Sequence, residues 1–298
     1  MARVLVTGAT GLVGGRLLPA LLDQGLEVAA VSRRRDPPID PRAGLVTWDG
    51  RALPPDALAG ARALVHLAGE PIFGGLPSGA RHRRIRESRV GSTRRLVEAI
   101  AALPPAQRPE ALVCASAVGI YGSRGDAVLD EDAPPGQGFL ADVCRDWEAE
   151  AARAPVRSVS LRTGIVLARE GGALPRMALP FRFGLGAKLG DGRQWFPWIH
   201  VADLVALVAA ALRDERLEGP VNAVAPAPVR NEELTRALAR CLRRPALLRV
   251  PAFALRLALG DLAEELLGSR RVVPRKAQAA GFRFAYPELE QALAAELS

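Results

Sequence analysis

The sequence predicts an α/β fold built on a doubly wound parallel sheet, and two observations carry the prediction. Apolar runs of strand length alternate with longer segments of helical period. The first such run, Val4 to Thr7, passes directly into the glycine-rich turn Gly8-Ala9-Thr10-Gly11-Leu12-Val13-Gly14. Strands buried on both faces read as continuous apolar runs. Strands that alternate with helices pair in parallel, joined by right-handed crossovers that cover both sides of the sheet.

Taken in order, Val4 to Thr7, Val28 to Ser32, Leu45 to Trp48, Ala63 to Leu67, Leu112 to Ser116 and Val156 to Leu161 read as strands. Leu12 to Gln24, Ile85 to Leu103 and Ala141 to Ala152 carry the 3.6-residue period of the helices between them. After Leu161 the rhythm breaks. Residues 168–198 read as an irregular excursion, rich in glycine and proline from Gly171 to Pro197 around the apolar and basic stretch Met177 to Lys188. Excursions of this length in a domain are usually functional. The pattern resumes with a helix from His200 to Leu212, a last strand from Val221 to Val224, and helices over Asn231 to Leu242 and Phe253 to Leu267. This divides the chain into a domain of residues 1–225 and a small, mainly helical C-terminal substrate-side lobe of residues 226–298.

Gly8, Gly11 and Gly14 form G-x-x-G-x-x-G between the first strand and the first helix. In a Rossmann-type unit such glycines make the tight turn, let the backbone approach a diphosphate and pack the helix against the strand, while the helix N-terminus offers free N–H groups to the anion. Gly8, Thr10, Gly11, Leu12, Val13 and Gly14 are therefore the expected diphosphate cradle of a dinucleotide. The tip of the second strand chooses the nucleotide. An NAD site places a carboxylate there for the ribose hydroxyls; this chain has Ser32 and Arg33, followed by Arg34, and guanidinium binds a 2′-phosphate bidentately. NADP(H) is the expected cofactor. Asp49, just past the third strand, is placed to accept from the adenine amino group, and Leu67-Ala68-Gly69 ends the fourth strand where the ligand crevice of such sheets lies.

Composition bounds the partners. The net charge of +8 rests on arginine dispersed over the chain. The cluster Arg81, His82, Arg83, Arg84, Arg86 and Arg89 could hold phosphate, but it lacks interleaved aromatics and any nucleic-acid motif. Cys114, Cys144 and Cys241 are distant, odd in number and without a CxxC pair, which predicts reduced thiols and no metal site. No signal-peptide pattern and no apolar run long enough to span a bilayer are present, so a cytoplasmic protein is expected.

With those residues placed, the chain resembles the short-chain dehydrogenase/reductase superfamily in its extended, epimerase-like branch. The resemblance rests on the glycine pattern, His66-Leu67-Ala68-Gly69, Ser116-Ala117-Val118-Gly119-Ile120-Tyr121-Gly122, Leu161-Arg162-Thr163-Gly164-Ile165-Val166-Leu167 and Trp198-Ile199-His200-Val201-Ala202-Asp203. Gly69-Glu70-Pro71, Glu87-Ser88-Arg89, Asp146-Trp147-Glu148, Phe196-Pro197-Trp198 and Arg270 to Lys276 are similar, more narrowly, to an atypical group of epimerase family proteins with a distinctive C-terminal region. The resemblance implies NADP binding and adds Arg89, Ser116, Arg162, Gly164 and Val166 to the cofactor side.

It also implies a loss. The two tyrosines, Tyr121 and Tyr286, and the two lysines, Lys188 and Lys276, contain no Tyr-x-x-x-Lys pair; at that place stand Phe139 and Leu140, then Val143 and Cys144. Proton transfer needs a group with a suitable pKa within hydrogen-bond reach. Ser116, which can orient a carbonyl, Cys144 and His200 are the remaining catalytic candidates, with Tyr121 a further group that resemblance places in the substrate cleft. On the substrate side, Arg182, Lys188, Arg193 and Trp195 suit an anionic or aromatic small molecule and equally suit a solvated loop. Two functions stay open: an oxidoreductase or epimerase-like enzyme with a non-standard acid, and a non-catalytic NADP-binding sensor or regulatory module.

Overall fold

Alternation along the first strand sorts the core into two layers. In the computed structural model, which describes residues 3–50, 53–72 and 78–297, Val4 and Val6 of β1 (Arg3–Thr7) pack with Leu17, Leu18 and Leu21 of α1 (Leu12–Leu22). Leu5 points the other way, into a cluster with Leu96, Val97 and Ile100 of α2 (Ser92–Ala102) and Trp147 of α3 (Phe139–Ala152). The period of two in a strand is what sends neighbouring side chains to opposite faces.

Six further strands complete the sheet: β2 (Glu27–Ser32), β3 (Gly44–Thr47), β4 (Ala61–His66), β5 (Ala111–Ala117), β6 (Arg157–Thr163) and β7 (Gly219–Ala223). Their order is β3-β2-β1-β4-β5-β6-β7, every pairing parallel, with Val4 opposite Val28 on one side and Ala63 on the other. The strand order reverses between β1 and β4, and crevices for ligands open at the carboxyl ends of strands at such a point. The predicted strands are all present, with ends displaced by a few residues. α4 (Val201–Ala211) covers the α1 face with Leu204, Leu207 and Val208.

The helix expected from Ile85 to Leu103 is broken. Gly79–Arg86 is α-helical, Glu87–Gly91 forms one π-helical turn, and α2 follows. A side chain on Gly91 would collide with the Glu87 carboxylate. π-turns recur at functional sites because the inserted residue redirects the side chains beside it, and this one carries Ser88 and Arg89.

Residues 168–198 are not the irregular excursion expected. They contain the helix Leu174–Arg182, the strand Ala187–Leu189, which pairs with Leu248–Val250, and Trp195–Phe196, which pairs with Val229–Arg230. Leu174 and Phe181 pack with Leu234, Ala237 and Leu238 of α5 (Asn231–Leu242) and with Leu289 and Leu293 of α6 (Leu289–Leu297), a helix that sequence periodicity missed. The glycines and prolines punctuate short elements whose partners lie 33 to 61 residues away, so no local pattern announces them.

Candidate functional site

Two cavities, of about 310 and about 470 Å³, lie side by side at the carboxyl ends of the strands, and Gly8, Gly11 and Leu67 to Pro71 line both. The turn after β1 is built by close backbone approach. Gly8 has φ +70°, and a Cβ there would lie 2.7 Å from the Leu67 carbonyl carbon; a Cβ on Gly14 would lie 2.3 Å from Gly8 O. Any side chain at either place would force β1, α1 and β4 apart. Gly11 N donates to Gly8 O and Gly15 N to Gly11 O, so the first-turn N–H groups of Leu12 to Gly14 precede the helix's own bonds and face the cleft without a side-chain cap.

Beneath the turn, Thr7, His66 and Ser92 form a buried chain. Thr7 Oγ1 accepts from Ala68 N at 3.3 Å and lies 2.7 Å from His66 Nδ1, while His66 Nε2 lies 3.0 Å from Ser92 Oγ, which donates to Ser88 O. These roles require a neutral imidazole protonated at Nε2. Burial pushes the His66 pKa down to about 4, in agreement. The larger cavity then extends along the tip of β2, where Ser32, Arg33, Arg34, Trp48 and Arg95 line it.

At the inner end, Ser116 Oγ donates to Glu148 Oε1 at 2.6 Å. Arg162 grips the same carboxylate from Nε at 2.9 Å and Nη2 at 2.8 Å, and its Nη1 donates to the Tyr121 hydroxyl at 2.9 Å. Ser116 has one proton, and it points away from the cavity; the oxygen can only accept from a ligand. Cys144 lines the same cavity, but burial pushes its thiol up to about 12, so no thiolate forms near neutral pH. Arg89 lies over Gly69 with its guanidinium 5.5 Å from the centre of the Trp147 ring, and burial lowers its pKa from the usual arginine value. Glu265 reaches the cavity from the C-terminal region; its Oε1 accepts from Arg270 Nη2 at 2.9 Å.

The model of the NAD dependent epimerase/dehydratase family matches residues 4–223, the span that carries the sheet and this cleft, and the Domain of unknown function (DUF1731) matches residues 250–296. The chain belongs to the NAD-dependent epimerase/dehydratase family. Epimerase family protein SDR39U1 of Bos taurus is 41% identical over 299 residues, covering 98% of both chains. A homologue from Arabidopsis thaliana, named as chloroplastic, is 38% identical and covers 98% of this chain and 86% of its own. The crystal structure of human SDR39U1 with NADPH superimposes with a TM-score of 0.90 at 36% identity over 99% of each chain.

In this family member the structure gathers Gly8, Gly11, Leu12, Val13, Gly14, Leu67, Ala68, Gly69, Arg89, Ser116 and Cys144 around the smaller cavity, with Thr10, Ser32 and Arg33 around the larger. It does not bring the others there. Asp49 is exposed and lies off the lining formed by its neighbours Trp48 and Gly50. Arg162 is consumed by Glu148 and Tyr121, while Gly164 packs against Pro197 and Val166 pairs with Ile199. His200 caps α4, its Nδ1 accepting from Ala202 N, and Nε2 lies 2.9 Å from Glu296 Oε1; burial lowers its pKa, and it lines neither cavity. Tyr121 is fully buried between Arg162 and Asn222 instead of lining the cleft.

Two arginines of the cluster from Arg81 to Arg89 are also engaged. Arg81 donates to Pro71 O and Ile72 O, and Arg86 pairs with Asp146. Arg230 and Arg271 lie over the Trp195 ring, at 4.5 and 4.7 Å from its centre. Glu148 was within reach of sequence reasoning, since it lies one helical turn beyond Cys144 on α3; Glu265 carried no local signal. Among the described residues, no helix is long and apolar enough to cross a membrane.

Proposed function

We propose that this chain binds NADP(H) along the cleft and is an epimerase-like or oxidoreductase-like protein acting on a small molecule, its substrate unknown. The observation that carries the reading is the tip of β2, where Ser32, Arg33 and Arg34 line the larger cavity at the place where an NAD site puts a carboxylate. The bare glycine turn fits a diphosphate: Gly11 lines both cavities, and a side chain there would stand in the cleft. Gly8, Thr10, Gly11, Leu12, Val13 and Gly14 would hold the diphosphate through backbone N–H groups, Arg33 the 2′-phosphate, and Leu67 to Gly69, Arg89 and Ser116 the remainder. Human SDR39U1, crystallised with NADPH, supports the choice of nucleotide. A bound nicotinamide supplies two-electron redox chemistry. Residues 1–225 would carry the nucleotide, and residues 226–298 would close the substrate side, as Glu265 on the cavity wall suggests. Calorimetric titration with NADPH and NADH tests the assignment; tighter NADPH binding that is lost in Arg33→Ala is the expected result.

A specific observation favours a second reading, a non-catalytic NADP-binding sensor or regulatory module. Ser116 donates its hydrogen bond to Glu148, Cys144 holds its proton to about 12, and His200 lines neither cavity. None of the three candidates is an acid poised near neutral pH.

A further inference from the structure

The inner end of the cleft is asymmetric in its hydrogen bonding. Ser116 Oγ has committed its proton to Glu148 and offers lone pairs only. Glu265, from the short helix Glu264–Leu267, stands on the same cavity wall beside the turn that follows β5. A Cβ on Gly119 would lie 3.5 Å from Glu265 Oε2 and 3.8 Å from Oε1. The nearly buried Arg270 donates to Oε1 and holds the carboxylate in place. The same cavity wall carries the apolar Ala117, Leu140 and Val143. The cationic group of the cavity, Arg89, lies at the Gly69 edge, which belongs to both cavities.

We propose that Ser116 and Glu265 form an acceptor-only ligand subsite, one that takes an alcohol or an amine on an apolar body and turns away a carboxylate. An ammonium group can donate to both and a hydroxyl to one of them; a carboxylate has no proton to donate and would face two acceptors, one of them a carboxylate whose Arg270 partner is already engaged. This replaces the anionic ligand suggested by the excursion's cations, and it rests on the reading of the cleft as the nucleotide and substrate site. It also gives the C-terminal region a chemical task, which is to deliver one carboxylate to a cavity otherwise built by the sheet domain.

Benzylamine, benzyl alcohol and benzoate share an apolar ring and differ in the group offered. Their affinities are measured by ligand-observed NMR on the full chain, with and without saturating NADPH. Benzylamine and benzyl alcohol are expected to bind more tightly than benzoate, by about tenfold or more for the amine, the scale of a hydrogen bond to a charged group. Glu265→Gln should erase the advantage of the amine, Glu265→Asp should keep part of it, and the NADPH affinity of both variants should match the parent. Benzoate binding as tightly as benzylamine, no amine binding at millimolar concentration, or an order unchanged in Glu265→Gln overturns the proposal. Failure of NADPH to bind the parent chain would refute the nucleotide reading alone, because the amine-to-acid order is also read on nucleotide-free protein.

Discussion

Ser116 on β5 donates its hydroxyl proton to Glu148 on α3 across 2.6 Å, and Arg162 on β6 clamps the same carboxylate. Sheet and helix are thereby joined at the inner end of the cleft. The consequence for stability is direct. The side chains of Arg162 and Glu148 are only 7% and 13% exposed. Glu148→Ala should therefore cost about 3 to 5 kcal/mol in urea denaturation by leaving a buried guanidinium unpaired, and the double variant Glu148→Leu with Arg162→Leu should recover much of the loss. A single variant within 1 kcal/mol of the parent would show that the pair does not hold these elements together, at roughly the level of an exposed pair.

The buried His66 makes stability depend on pH. Its folded pKa is near 4, below the ordinary value of 6.5, because burial disfavours the charged ring. The unfolded chain takes up a proton that the folded chain refuses. The contribution is therefore fully present above about pH 6.5 and is lost as pH falls toward about 4, reaching about 3 kcal/mol. In denaturation series across this range, the difference between the parent and His66→Gln should shrink with falling pH; a constant difference would mean that the imidazole titrates alike in the folded and unfolded chains.

Nucleotide binding at the turn after β1 should tolerate nothing larger at its open glycine. Gly11 lines both cavities, and a Cβ there meets only Gly8 O, at 3.2 Å. Gly11→Val should keep a thermal midpoint close to the parent's and lose binding of both NADPH and NADH in calorimetry. Retained binding would move the diphosphate elsewhere.

Much of this fold was legible because its signals are local. Each sheet strand carries its own apolar run, and the glycine turn encodes its geometry in three residues. What escaped depends on distant partners. The strand Ala187–Leu189 exists through pairing with Leu248–Val250, and α6 is held by α5. The π-turn at Glu87–Gly91 keeps a helical pattern and so read as unbroken helix. In the site, the backbone cradle was readable and the side-chain chemistry was not. Ser116 looks like a donor until Glu148 is placed beside it, Arg162 looks like a cofactor contact until its carboxylate is found, and Glu265 comes from 149 positions further along than Ser116.

Without Tyr-x-x-x-Lys, and with Cys144 held protonated to about 12, standard reductase turnover should be weak. A missing positioned acid typically costs about 10²- to 10⁴-fold. The nicotinamide absorbance of NADPH should stay flat across a panel of common carbonyl and nucleotide-sugar substrates. Robust oxidation by any member would contradict this and direct substitution to Ser116, Cys144 and Glu265, where a fall in kcat at constant NADPH affinity identifies the group.

Nucleotide choice turns on Arg33, and calorimetric titration of the parent chain and Arg33→Ala with NADPH and NADH measures it. The parent should prefer NADPH by roughly 1.5 to 3 kcal/mol, the scale of one charge-assisted contact to the 2′-phosphate. Arg33→Ala should lose most of that preference while keeping its NADH affinity. Equal affinities in the parent, or an undiminished preference in the variant, would contradict it.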